Sequence, residues 1–233
     1  MNKHFIRPPF FEVGPKAYFC GQQALELARI AEEASRETEV AVIYTPQLTD
    51  LHLIAENTSG LYLCAQHMDP LYPGRGQGSI LPEAVKAAGA KCVMLNHAER
   101  PVALDALART IGRAREVDLI SIICASSCAQ AVACAALHPD IIVVEPSELI
   151  GTGVASDQTL VEASTRSVKN VSPEIQVLQG AGIASAEDVY RVIYAGADAT
   201  GSSSAICKAA DPGKMLREML AAAMQAYRDR TCA

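Results

Sequence analysis

Short runs of apolar and β-branched residues recur along the whole chain, separated by longer stretches in which apolar residues fall three or four apart. The runs at 10–14, 40–44, 61–65, 92–95, 119–124, 141–144, 176–178 and 197–201 read as strands. The stretches between them read as amphipathic helices, as with Ala24, Leu25, Leu27, Ala28 and Ala31 after the first strand and Val189, Val192 and Ile193 after the seventh. A final helix is expected from Asp211 to Arg228, opened by an Asp-Pro pair and carrying Met215, Leu216, Met219, Leu220 and Met224. Eight strand–helix units in 233 residues leave about 29 residues for each, which suits parallel strands with right-handed crossovers. Eight such units can close on themselves. The pattern therefore predicts an α/β fold, a single (β/α)8 barrel domain over residues 1–233. An open doubly wound sheet would call for a glycine fingerprint such as GxGxxG after strand one, where the chain instead has Gly14-Pro15-Lys16.

Composition narrows the function. Half of the residues are hydrophobic and 20% are charged, enough for a sizeable core and unlike a disordered chain. The net charge is −6 and no segment gathers Lys and Arg, so neither nucleic acid nor an anionic membrane is an expected partner. Residues 1–9 lack an apolar targeting core and no run is long enough to span a membrane, which reads as a cytoplasmic protein. The eight cysteines lie mostly inside apolar runs, as reduced core thiols do. Cys124 and Cys128 are spaced as a CxxxC, but no second pair or nearby His completes a ligand set, so no metal and no redox chemistry is expected there.

In a barrel the active site lies at the C-terminal ends of the strands. Lys16 follows strand one, Asn96-His97-Ala98-Glu99-Arg100 follows strand four, and Glu145 ends the otherwise apolar strand Ile141-Ile142-Val143-Val144. A carboxylate in that place is costly to desolvate, which argues for a purpose. Gly180-Ala181-Gly182-Ile183 follows strand seven, and Gly201-Ser202-Ser203-Ser204 follows strand eight. Glycines at 151, 180 and 182 would let backbone N–H groups approach an anion. A helix beginning near Ala184-Ser185 or near Ser204-Ala205 would turn its positive end toward it, and Lys16 would supply the one full positive charge. The longest stretch without periodicity, 66–79, is expected to be a loop that builds part of the site or a subunit contact; His67 and Asp69 in it read as loop structure.

Taken in order, these pieces resemble the triosephosphate isomerase family, particularly its short archaeal form. The resemblance spans nearly the whole chain. It rests on Gln66-His67-Met68-Asp69-Pro70, Ile80-Leu81-Pro82-Glu83-Ala84-Val85, Leu95-Asn96-His97-Ala98-Glu99-Arg100 and, most specifically, Glu145-Pro146-Ser147-Glu148-Leu149-Ile150-Gly151-Thr152-Gly153. It implies that Lys16 is a substrate-binding lysine, His97 an electrophile and Glu145 a catalytic base at the start of a closing loop, with Glu99 as a supporting carboxylate. It places Gly151, Gly182, Ser203 and Ser204 at phosphate-binding positions. The implied activity is a cofactor-free aldose–ketose isomerisation of a small phosphorylated sugar, most simply glyceraldehyde 3-phosphate and dihydroxyacetone phosphate, in a homo-oligomer, tetramer or dimer. Moving a carbonyl between adjacent carbons needs a base, a donor that stabilises the enediolate oxygens, and a route for the proton back to carbon.

The chain departs from the family pattern in three places. Gly14 stands where the family has Asn, Ala98 where it usually has Ser, and strand eight reads Ala199-Thr200-Gly201-Ser202-Ser203 where it is normally apolar. Two substrate-contacting side chains are trimmed and one wall looks polar, which raises a four-carbon substrate such as an erythrulose phosphate as an alternative. A non-catalytic barrel that binds a phosphorylated metabolite is the alternative of another class.

Overall fold

Most of the strand runs, the seventh and eighth excepted, are apolar at nearly every position because both faces of a parallel barrel are covered, one by the barrel interior and one by helices. A computed structural model describes residues 5–153 and 155–232. Its strands are β1 (Phe10–Val13), β2 (Ala41–Tyr44), β3 (Tyr62–Ala65), β4 (Cys92–Leu95), β5 (Ile120–Ala125), β6 (Ile141–Val144), β7 (Gln176–Gln179) and β8 (Ala199–Ser202). They pair in parallel in sequence order, and β8 returns to β1 to close the barrel. Each observed strand lies within two residues of the run that predicted it.

The helices are α1 (Gly21–Thr38), α2 (Leu51–Ala55), α3 (Pro82–Ala87), α4 (Leu104–Glu116), α5 (Cys128–Ala135), α6 (Gln158–Val171), α7 (Ala186–Tyr194), α8 (Ser204–Cys207) and α9 (Pro212–Cys232). Their apolar stripes meet the outward strand residues in one continuous layer, as Leu27, Ala28 and Ala31 of α1 and Leu216, Met219 and Ala223 of α9 do. Asp211 caps α9 by accepting from the N–H of Lys214, with Pro212 as the first helical residue.

The barrel interior is a separate apolar cluster built from alternate strand residues, among them Phe10, Ile43, Cys92, Ile122, Ile141, Val143 and Leu178. Ile6 plugs its lower end, fixed by Gln176, whose side chain accepts from the Ile6 N–H at 3.0 Å and donates to the Ile6 carbonyl at 2.6 Å. The thiols of Cys64, Cys92 and Cys124 belong to this interior, and all eight cysteines are free.

The period of two in each strand carries these inward rows up to the barrel mouth. In β6 the row Ile141, Val143 continues to Glu145; in β1 the row from Phe10 continues to Glu12 and Gly14; in β7 the row from Leu178 continues to Gly180. The chemistry-bearing residues are thus the next inward step after the core.

Candidate active site

Above the apolar plug the mouth opens into a cavity of about 590 Å³. Lys16, His97, Glu99, Glu145, Gly151, Gly180, Gly182, Ser203 and Ser204 all line it, so the fold brings every expected site residue to one place.

Lys16 sits on a left-handed turn, φ 47°, just past β1. Its carbonyl accepts from the side-chain amides of Gln47 at 2.6 Å and Gln66 at 3.2 Å, which hold this turn in place. The ammonium reaches across the mouth to Glu99 Oε1 at 2.9 Å. That hydrogen bond, more than the partial burial opposing it, holds the Glu99 carboxyl below the usual carboxylate range.

His97 is aimed by its neighbour. Asn96 is left-handed, φ 59°, and its side chain donates to the Cys124 carbonyl at 2.9 Å and accepts from the Val102 N–H at 3.0 Å. The turn this pins presents the imidazole to the cavity. The Glu99 N–H donates to His97 Nδ1 at 3.1 Å, so the neutral ring carries its proton on Nε2. Nε2 lies 3.3 Å from Glu145 Oε2, and both side chains are only 16% exposed.

Glu145 extends the inward row of β6, its N–H bonded to the Ala125 carbonyl at 2.9 Å. A Cβ on Gly180 would stand 3.3 Å from both Glu145 Cβ and Val143 Cγ1, so a glycine there leaves room for the Glu145 side chain. After Pro146 come one turn of 3-10 helix, Ser147–Leu149, and the exposed Gly151 and Gly153, both left-handed with φ near 75°.

The chain segments around Gly151, Gly182, Ser203 and Ser204 also line the cavity, those after β7 and β8 joined by the Ser202 hydroxyl on the Ile183 carbonyl at 2.8 Å. Among the described residues, no protein acceptor takes the amide N–H of any of these four. Several uncommitted N–H groups on the wall of one cavity are the ordinary makings of an anion site.

Four expectations are corrected here. The Gly180 N–H donates to the Val144 carbonyl at 2.8 Å, so it is spent in the barrel ladder and does not face an anion. The start of α7 is filled by its own capping box, Ser185 with Asp188, and the Asp188 carboxylate takes the N–H of Ala184 and Ser185 as well. The hydroxyls of strand eight do not build a polar wall toward the substrate. Thr200 donates to the Gln179 carbonyl, Ser202 to that of Ile183 and Ser203 to that of Gly14. Finally, Lys16 is not the one cation, because Arg100 also lines the cavity at its exposed rim.

The long loop is closed at its base by Asp69, which accepts from the Ile80 N–H at 2.7 Å and from the other side lies 3.3 Å from His67 Nε2. Burial, with the Arg100 charge adding to it, lowers the His67 pKa below its ordinary value. Among the described residues no group of three or more His, Cys, Asp or Glu is placed to hold a metal ion, and no helix is long and apolar enough to cross a membrane.

Glu12 is the site residue that the sequence reading passed over. It lines the cavity floor, and its Oε1 accepts from the Thr45 hydroxyl at 2.6 Å. Burial pushes its pKa up to about 7, with Glu145 adding to the rise and the Thr45 hydrogen bond, Lys16 and His97 opposing it. An unfolded chain ionises this carboxyl near 4.5, whereas the folded chain holds its proton to about 7. Its contribution is therefore favourable at low pH and is lost as pH rises from about 4.5 to 7, a cost of about 3 kcal/mol above that range. Glu12→Gln is accordingly expected to raise the unfolding free energy at pH 8 by up to about 3 kcal/mol and to change it little at pH 4.5. Urea unfolding at the two pH values reads this directly; an equal effect at both would contradict the account.

Comparison with known proteins agrees with this geometry. The profile of the family described as triosephosphate isomerase matches residues 13–219. A protein of Sulfolobus acidocaldarius named triosephosphate isomerase is 35% identical over 229 residues, covering 97% of this chain and 99% of its own. Proteins with the same name from Methanothermus fervidus and Methanocaldococcus jannaschii are 38% and 37% identical over 203 residues, each covering 86% of this chain and 91% or 92% of their own.

Proposed function

The chain belongs to the triosephosphate isomerase family, and on that premise we propose that it interconverts glyceraldehyde 3-phosphate and dihydroxyacetone phosphate through an enediolate. Glu145 takes the proton from C2 of the aldose. The aldehyde oxygen gains negative charge as the C1–C2 double bond forms, and it draws a proton from His97 Nε2. The imidazole recovers that proton from the C2 hydroxyl, and Glu145 returns its own to C1. No atom is gained or lost. Lys16 holds the negative oxygens, and Glu99 holds Lys16.

The observation that carries this reading is the tautomer set at His97. The Glu99 N–H on Nδ1 leaves Nε2–H facing the cavity, 3.3 Å from the carboxylate assigned as base. Donor and base thus flank one small space shielded from bulk water, where their interaction with developing charge is strong. The phosphate would rest on the uncommitted amides of Gly151, Gly182, Ser203 and Ser204. The wider four-carbon substrate finds no support, because the hydroxyls of strand eight are bound to backbone carbonyls and the room beside Gly14 is taken by Glu12. A purely binding barrel would have no use for a base and a donor set face to face. The proposed working form is a homo-oligomer, tetramer or dimer, in the cytoplasm. Steady-state assays in both directions, with the four-carbon ketose phosphates in parallel, test the function. Turnover of the triose phosphates alone is expected, and turnover confined to the tetrulose phosphates would overturn it.

A further inference from the structure

The proposed mechanism leaves the Glu12 carboxyl on the cavity floor unused. Glu12 projects from β1 into the mouth, and the Thr45 hydroxyl donates to its Oε1. Among the described residues no donor reaches Oε2, and what surface the side chain keeps opens into the cavity that holds Lys16, His97 and Glu145.

Two glycines make this position possible. A Cβ on Gly14 would lie 2.7 Å from Glu12 Oε1 and 3.2 Å from Oε2. One on Gly201 would lie 2.9 Å from Glu12 Cβ and 2.7 Å from its carbonyl oxygen. Real Cβ contacts are not this short, so with Glu12 as placed a side chain at position 14 would have to push the carboxylate aside, while one at position 201 would meet the backbone of β1. Position 14 is where the family pattern has its asparagine two residues before the lysine. The Glu12 carboxylate as placed occupies the space beside position 14, and an asparagine there would have to displace it.

Resting on the function proposed above, we infer that Glu12 makes the substrate contact left vacant by that asparagine, donating from its protonated carboxyl to an oxygen of the enediol as it forms. The burial that raises its pKa to about 7 keeps the proton on below that pH, and on about half of the molecules at pH 7. The charged and titratable groups that interact with it are Lys16 beyond β1, Cys64 on β3, His97 beyond β4, Cys124 on β5, Glu145 beyond β6 and Cys207 on α8. Above about pH 7 the carboxyl ionises, the donor disappears, and a second negative charge faces the enediolate. The contact therefore favours the reaction on the acid side and opposes it on the alkaline side.

Kinetics on glyceraldehyde 3-phosphate from pH 5.5 to 9 test this with wild type, Glu12→Gln, Glu12→Ala and the pair Glu12→Gly with Gly14→Asn. Glu12→Ala should lose about 10- to 100-fold in kcat at pH 6 with little change in KM, as expected for a contact made in the transition state. Glu12→Gln keeps an N–H donor that cannot ionise, so it should retain more activity than the alanine variant and lose the alkaline fall near pH 7. Substrate ionisation is common to all four proteins, so the difference between profiles belongs to Glu12. The double variant should regain most of the loss. Wild-type kcat in Glu12→Ala, or the same alkaline fall in Glu12→Gln, overturns the inference. If wild type turns over no triose phosphate, the proposed function fails separately. Calorimetry with 2-phosphoglycolate, a planar anionic mimic of the enediolate, still reads the contact. About tenfold weaker binding by Glu12→Ala at pH 6 supports it, and equal binding overturns it.

Discussion

Glu145→Asp is expected to lower kcat on glyceraldehyde 3-phosphate by about 10²- to 10³-fold while KM moves by less than about threefold. The substitution keeps the charge and chemistry of the base and withdraws it by one carbon. A proton transfer is steep in distance, and a misplacement of about 1 Å is worth about 100-fold. The backbone is held by the Glu145 N–H to Ala125, and Gly180 leaves an open side, so nothing draws the shorter carboxylate back toward the substrate. In the proposed site, substrate is bound by Lys16 and the amides of Gly151, Gly182, Ser203 and Ser204, which the change does not touch. Stopped-flow or steady-state kinetics with the purified variant decide it. Wild-type kcat would mean that Glu145 is not the base.

Lys16→Ala is expected to reduce kcat/KM by about 10³-fold or more and to weaken inorganic phosphate and 2-phosphoglycolate as ligands. A charge-assisted contact with an anion in a walled cavity is worth several times a neutral one. Arg100 also lines the cavity but stands exposed at its rim, where water screens it, so it should not make good the loss. Both residues carry a Cβ at the same left-handed φ of 47°, so the variant adds little backbone strain. Glu99, whose side chain is 63% exposed, is left without its partner at little cost to stability. Isothermal calorimetry with both ligands checks the prediction; an unchanged affinity would remove Lys16 from the site.

Much of this architecture is legible in the chain. The apolar runs mark eight strands because both faces of a barrel strand are covered, and the same fact hides which residues point inward. Only the position of a polar residue breaks that symmetry. Glu145 stands out at the end of Ile141-Ile142-Val143-Val144, and Glu12 stands out equally within Phe10-Phe11-Glu12-Val13, a signal present in the sequence and read in only one of the two places. The orientation of side chains with local partners is not legible. The hydroxyls of Thr200, Ser202 and Ser203 look free along the chain, yet the barrel brings each within reach of a carbonyl from β7, the following loop or β1. Gly180 likewise reads as one more flexible glycine near an anion, whereas its closeness to Glu145 at the end of the neighbouring strand gives it its purpose. The turns that aim Lys16 and His97 depend on Gln47, Gln66 and Asn96. Their partners lie between 6 and 50 residues away, a distance no local pattern reveals.

The central claim is that a carboxylate in this cavity moves a carbon-bound proton of a triose phosphate through an enediolate. Incubation of glyceraldehyde 3-phosphate with the wild-type protein in heavy water, followed by NMR, measures that step without a coupling enzyme. The account predicts dihydroxyacetone phosphate bearing deuterium at C1 and recovered aldose bearing it at C2, with both signals falling in Glu145→Asp in proportion to kcat. Binding of the triose phosphate with no deuterium at either carbon would contradict it.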